Sequence, residues 1–196
     1  MVACSRALHL LGEYEAAVER EEPTQANTEA ATSSWQPPRR TQYKVNTDAA
    51  IKEDKISFGM VVRDVVGDVL MSAGTSRITS CTALQAEAEA MRFGLKYSYD
   101  TGFRSVEAES DCLHLVELLC SRKRERSYTQ VIVDDILVMA SNFAFCSFNF
   151  AKRSCNSVAH SIAKSSFSLT EEMVWMEDHP MDVLPLVIAD KAFLYQ

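Results

Sequence analysis

The hydrophobic period changes sharply near Thr82, and that change constrains the fold more than any other feature of the chain. Before it, Tyr43, Val45 and Thr47 alternate with Lys44, Asn46 and Asp48, the period of a half-buried strand, and the run closes in the small residues Ala49 and Ala50. Two mainly apolar runs follow at 56–63 and 69–78, joined by Asp64-Val65-Val66-Gly67-Asp68. Such a short Asp- and Gly-containing link reads as a hairpin, so the three segments form an antiparallel meander. From 82 to about 99 the apolar positions Leu84, Ala88, Met91 and Leu95 recur at helical spacing, with Gly102 just beyond the end.

The remaining pattern alternates the two element types. A short strand at 105–110 runs into Asp111, and helices are expected at 112–120 and 130–142. The basic loop Arg122-Lys123-Arg124-Glu125-Arg126 lies between those helices, an aromatic strand spans 143–150, and a last helix spans 156–167. The order βββαβααβα lets helices carry the crossovers that parallel pairing among strands one, four and five requires. Upstream, 5–20 has a helical period, but 21–40 is rich in Glu, Thr, Gln, Asn, Ala and Ser and ends in Trp35-Gln36-Pro37-Pro38-Arg39-Arg40, a linker composition. The expected organisation is a short helix and linker over 1–40, a domain over 41–170 and an extension over 171–196.

Composition excludes several classes. Six cysteines, at 4, 81, 112, 120, 146 and 155, show neither a C-x-x-C pair nor finger spacing, which argues against zinc and against a disulfide framework. The apolar stretch 7–11 is too short for a signal-peptide core, and no stretch is long enough to span a membrane, so a soluble intracellular protein is expected, nuclear or cytoplasmic. The net charge of −7 argues against strong global attraction to phosphate backbones, so nucleic-acid contact would need a local basic patch.

Three carboxylates stand out. Asp48 follows an alternating strand and precedes small residues, which leaves room for an ion or ligand, although a turn Asp closing a hairpin fits the same pattern. Glu87 has Ala83, Leu84, Ala90 and Met91 as its helical neighbours and so emerges beside the core-facing stripe, whereas Glu89 has Arg92 one turn on and is assigned to the solvated face. Asp111 ends a strand and begins a helix, where an N-cap is the ordinary role. If the strands bearing Asp48 and Asp111 are parallel neighbours, both carboxylates reach one edge of the sheet and Glu87 leans over it. Such a cluster, lacking a basic partner, repels itself unless a divalent cation neutralises it, and all-oxygen ligands favour Mg²⁺ or Mn²⁺.

In order along the chain, Asp48 after strand one, Ala86-Glu87-Ala88, Glu109-Ser110-Asp111 and Arg153-x-x-Asn156-x-x-Ala159-His160-x-x-Ala163-Lys164 resemble the ribonuclease H domain, in the retroelement-derived, reverse transcriptase-associated type common in plants. The resemblance spans about residues 35–190. It implies a three-layer α/β fold in which a five-stranded mixed sheet, a three-strand meander plus two parallel strands, carries helices on both faces. It also implies hydrolysis of the RNA strand of RNA–DNA hybrids by a two-metal mechanism. One ion would help form the attacking hydroxide and the other would stabilise the leaving oxygen. Asp48, Glu87 and Asp111 would hold Mg²⁺, with Mn²⁺ as a substitute, and His160 stands where many relatives have a fourth carboxylate.

A neutral His160 attracts a second Mg²⁺ less than a carboxylate does, and it can shuttle a proton. Asn156, Arg153, Arg122, Lys123 and Arg124 are the expected substrate contacts, and a monomer is expected. The family usually reads Asp-Gly-Ala where this chain reads Asp48-Ala49-Ala50, so a positive φ at that position would strain Ala49. An inactive or weakened interaction module that keeps the fold is the alternative function.

Overall fold

In the computed structural model, which describes residues 34–121, 126–192 and 194, the meander expected from the alternating runs is present. β1 (Tyr43–Lys52) pairs antiparallel with β2 (Lys55–Arg63), and β2 with β3 (Val69–Ile78). The β2–β3 link is closed by Asp64, whose Oδ1 accepts from the Val66 and Asp68 amides at 3.0 and 2.9 Å, while Gly67 takes φ +81°. β4 (Ser105–Ser110) runs parallel to β1, and β5 (Phe145–Phe150) parallel to β4. A sixth strand, β6 (Met173–Met176), adds antiparallel to β3 and gives the order β5-β4-β1-β2-β3-β6.

The expected count of five strands is therefore one short. β6 has only four residues and a largely exposed edge, too little pattern to separate it from a surface extension. β1 also runs further than expected. It continues to Lys52 against β2, and only its pairing with β4 stops at Asn46 opposite Glu109, so Asp48 lies just past a parallel ladder but inside the strand. Among the described residues, positive φ outside glycine occurs at Glu53 and Glu177, so Ala49 lies in ordinary extended backbone without the strain considered above.

Among the described residues five α-helices cover the sheet: α1 (Ala83–Asp100), α2 (Leu113–Cys120), α3 (Tyr128–Ala140), α4 (Ser157–Ser165) and α5 (Leu184–Ala192). α1 starts in a reciprocal cap, Thr82 Oγ1 accepting from the Gln85 amide and Gln85 Oε1 from the Thr82 amide. Capping of this kind contributes about 1 kcal/mol and holds the first turn, directly before Glu87, in register. One face of the sheet buries Val45, Met60 and Val62 with Met91, Leu95, Ile132 and Ile136 from α1 and α3; the other buries Val61 with Val158, Ala159 and Ile162 of α4 and Val187 of α5.

Residues outside the expected 41–170 limits pack into the sheet. Trp35 is fully buried and donates from Nε1 to Asn46 Oδ1 at 3.1 Å, with the Arg63 guanidinium 3.9 Å over its ring. Arg63 in turn donates to Asp190 Oδ2 on α5 at 2.6 Å and to Asn46 Oδ1 at 2.9 Å. The expected helix at 5–20 lies outside the described residues.

Two glycines set how closely helices approach the centre of the sheet. A Cβ at Gly94 of α1 would stand 2.4 Å from Thr47 Cγ2, and one at Gly59 of β2 would stand 2.3 Å from Ala163 N and 2.5 Å from Ala159 O of α4. At Gly59 the obstacle is backbone, which cannot rotate away. Gly59→Ala is expected to lower unfolding free energy by about 1–3 kcal/mol through overpacking, read as a lower denaturant midpoint at unchanged slope. An unchanged midpoint would mean that α4 does not press on β2.

Candidate active site

Three different elements deliver acids to one place. Asp48 sits on β1 two residues beyond its last parallel pair with β4; Asp111 directly follows β4; Glu87 lies in the second turn of α1. One carboxylate oxygen from each lies within 4.8 Å of the others. Asp48 is fully buried, while Glu87 and Asp111 are half-buried. Asp111 does not cap α2, because the N-cap is Cys112 and no side-chain cap bond forms. Glu89 forms the expected pair with Arg92 at 2.6 Å and also meets Arg77, but it is half-buried rather than solvated.

The last helix supplies the remaining polar groups. His160 Nδ1 lies 2.9 Å from Asp48 Oδ2. Arg153, in the 3-10 turn before α4, donates from Nη1 to Asp111 Oδ2 at 2.8 Å, stands 4.0 Å from Asp48 Oδ1, and places Nη2 3.0 and 3.1 Å from the two ring nitrogens of His160. A guanidinium only donates, so a neutral His160 accepts through the nitrogen that carries no proton. The cluster therefore has the basic partner that the sequence reading lacked. Asn156 stands at the N-cap of α4, but its side chain neither makes a capping bond nor bonds His160; Nδ2 donates to Thr47 O at 2.9 Å and reaches Asp111 Oδ1 at 3.5 Å. It is fully buried and offers a substrate no surface, so the expected substrate contact at Asn156 is replaced by a tie between α4, β1 and Asp111.

Sequence reasoning missed two partners of Glu87. The Ala49 amide and the Ser110 hydroxyl both favour the charged form of its carboxylate, and Ser110 Oγ accepts from the Cys112 amide at 3.1 Å. Neither has a residue-type signal beyond adjacency to Asp48 and Asp111. Arg122, Lys123 and Arg124 lie outside the described residues, so the expected basic contact surface has no structural account.

The family described as reverse transcriptase-like matches residues 46–166. The chain belongs to that family. No curated protein matches it in sequence. Solved structures similar to it include ribonuclease H1 of the halophilic archaeon Halobacterium salinarum NRC-1, at 20% identity and TM-score 0.57 over 64% of this chain and 97% of that one. The N-terminal ribonuclease H domain of Rv2228c from Mycobacterium tuberculosis matches at 18% identity and TM-score 0.58 over 64% and 92%. LC11-RNase H1 in complex with an RNA/DNA hybrid matches at 17% identity and TM-score 0.57 over 64% and 96%. The fold is that of ribonuclease H.

In this ribonuclease H-like domain the acids are far from their ordinary ionisation. Burial, then the charges of Glu87 and Asp111, push Asp48 up to about 9, with Arg153 opposing. Burial and the Asp111 charge push Glu87 up to about 8 against the Ala49 amide, Arg153 and the Ser110 hydroxyl. His160 is shifted down by burial and by Arg153 and Lys164, with Asp111 opposing, so its imidazole is neutral at pH 7. Asp48 Oδ1 and Glu87 Oε2 are buried without a hydrogen-bond partner. Unused carboxylate oxygens in an all-oxygen set whose charged forms repel one another fit a divalent cation.

The raised acids make stability depend on pH in a stated direction. Between the ordinary values of 3.8 and 4.5 and the folded values of about 9 and 8, the folded state holds protons that the unfolded chain has released. Their stabilising contribution is full below about pH 4 and is lost as pH rises through 8 to 9. Chelator-treated protein is expected to lose melting temperature from pH 5 to 9 more steeply than Asp48→Asn, and added divalent cation to raise it more at pH 8 than at pH 5. Parallel profiles for the two proteins would refute the shift at Asp48.

Proposed function

We propose that this chain is an endonuclease that hydrolyses the RNA strand of RNA–DNA hybrids with Mg²⁺, or Mn²⁺ in its place. The observation that carries the reading is the convergence of Asp48, Glu87 and Asp111 within 4.8 Å, with partnerless buried oxygens on two of them, in a fold shared with LC11-RNase H1, whose structure was determined with a hybrid. Retroelement descent of the plant type, monomeric behaviour and a nuclear or cytoplasmic place belong to the same reading. Among the described residues no helix is long and apolar enough to cross a membrane.

Asp48, Glu87 and Asp111 would hold the cation, which when bound supplies Lewis-acid activation of water and offsets charge at the phosphate. Each ligand is held by the chain itself. The Ala49 amide and Ser110 hydroxyl favour the charged form of Glu87, Asn156 ties Asp111 to the β1 backbone at Thr47, and His160 braces Asp48. Because Nδ1 of His160 faces Asp48, Nε2 is the atom available to take a proton once Arg153, 3.1 Å away, turns to a phosphate. Selection of RNA would come from contacts to 2′-hydroxyls, with Arg153, Arg122, Lys123 and Arg124 as the cationic contacts to phosphate.

A second reading, a weakened module that binds hybrid without cutting it, is favoured by one observation: Arg153 already occupies the carboxylate cluster. One assay separates the two. Labelled RNA–DNA hybrid incubated with the full chain and Mg²⁺ is expected to lose its RNA strand, and Asp48→Asn to reduce the rate by about 100-fold or more, since even outer partners of metal ligands are worth ~10–100-fold. A folded protein that retains the hybrid in a gel shift but leaves it intact would favour the module. Undiminished cleavage by Asp48→Asn would remove the proposed site.

A further inference from the structure

We propose that Arg153 is a tethered cation that occupies the side of the cluster between Asp48 and Asp111, so that the resting protein takes up one divalent ion and excludes a second. This rests on the metal-binding reading above and concerns what the chain's own residues do toward the ion. The guanidinium reaches Asp111 Oδ2 at 2.8 Å, Asp48 Oδ1 at 4.0 Å and both His160 ring nitrogens at 3.0 and 3.1 Å. It thus spans three of the four groups assigned to the site, and Glu87 is the one it does not contact. Glu87 Oε2 and Asp48 Oδ1, the latter 4.0 Å from Arg153, have no hydrogen-bond partner and remain to take an ion.

Charge counting gives the same division. With all three carboxylates ionised the cluster carries −3, and one divalent ion together with Arg153 brings +3. A second divalent ion beside the guanidinium would leave a net +2 in a half-buried place with no anion to balance it, which is costly. A substrate phosphate changes that balance, because it adds negative charge and offers Arg153 a bidentate acceptor. Arg153 is built to make such a move. Its side chain is 62% exposed while the Asp48 and Asp111 side chains are 0% and 6% exposed, so the head is held electrostatically and the stem is not packed in.

Calorimetric titration of the chelator-treated full chain with Mn²⁺ at one fixed pH tests this without reference to turnover. Wild type is expected to bind one ion. Arg153→Ala and Arg153→Gln are expected to bind a second ion or to gain about tenfold or more in affinity, the scale for removing one screened charge a few ångströms away. Arg153→Lys, which keeps the charge, is expected to retain the wild-type stoichiometry; melting curves confirm that each variant is folded. Folded Ala and Gln variants with wild-type stoichiometry and affinity would overturn the role of Arg153 and leave the metal site standing, as would a Lys variant that behaves like Ala. Wild type that binds Mn²⁺ no better than Asp48→Asn would end the metal reading and this inference together.

Discussion

Three carboxylates held within 4.8 Å of one another repel, and most of what surrounds them is explicable as compensation for that repulsion. Burial makes the problem worse, since desolvation is the first cause of the raised values at Asp48 and Glu87. The fold answers with an amide from Ala49 and a hydroxyl from Ser110 at Glu87, with a guanidinium at Asp111, and with an imidazole at Asp48. None of these removes the cost entirely. Asp48 Oδ1 and Glu87 Oε2 keep unused lone pairs in a buried place, an arrangement folded proteins avoid unless the site binds or reacts.

Much of this was legible in the sequence for a physical reason: the elements that carry or deliver the acids have clear periods, so the strands of Asp48 and Asp111 and the helix face of Glu87 follow from spacing. The meander, the crossover helices and the parallel pairing that brings Asp48 beside Asp111 all follow from the change of period at Thr82 and from the turn at Asp64–Asp68. The distinction between Glu87 and Glu89 also follows from helical geometry alone, although Glu89 is less solvated than its neighbours suggest. What was not legible depends on contacts across long separations. β6 is four residues with no core of its own, and its pairing with β3 is decided by the sheet edge rather than by its pattern. Arg153 reads from sequence as a substrate contact; only the structure shows the 3-10 turn before α4 bringing its head back onto Asp111.

The polar residues that looked like linker or tail have a structural purpose of the same kind. Trp35 and Asp190 lie about 150 residues apart and meet at Arg63, which is fully buried and would otherwise be an unpaired charge in the core. Removing either end would expose that charge to an apolar surround, so the segment before β1 and the helix after β6 are coupled through one guanidinium. Composition cannot reveal this, because Trp-Gln-Pro-Pro and a single Asp on a C-terminal helix carry no periodic signal.

That network bears directly on the site through the register of β1. Asn46 accepts from Trp35 and Arg63 and donates to Glu109 Oε2 at 2.9 Å, while Lys44 pairs with Glu109 Oε1 at 2.6 Å. Lys44, Asn46 and Asp48 are spaced by two and therefore share one face of the strand. A slip of one residue would send Asp48 to the face that packs against α1 and bring Thr47 round toward α4. Thr47 is itself held on the α1 side by the close approach of Gly94, so both faces of β1 resist the slip. The buried polar belt around Asn46 and the glycine contact at Thr47 thus fix which way Asp48 points, and Asp48 can meet Asp111, Glu87 and His160 only from that face.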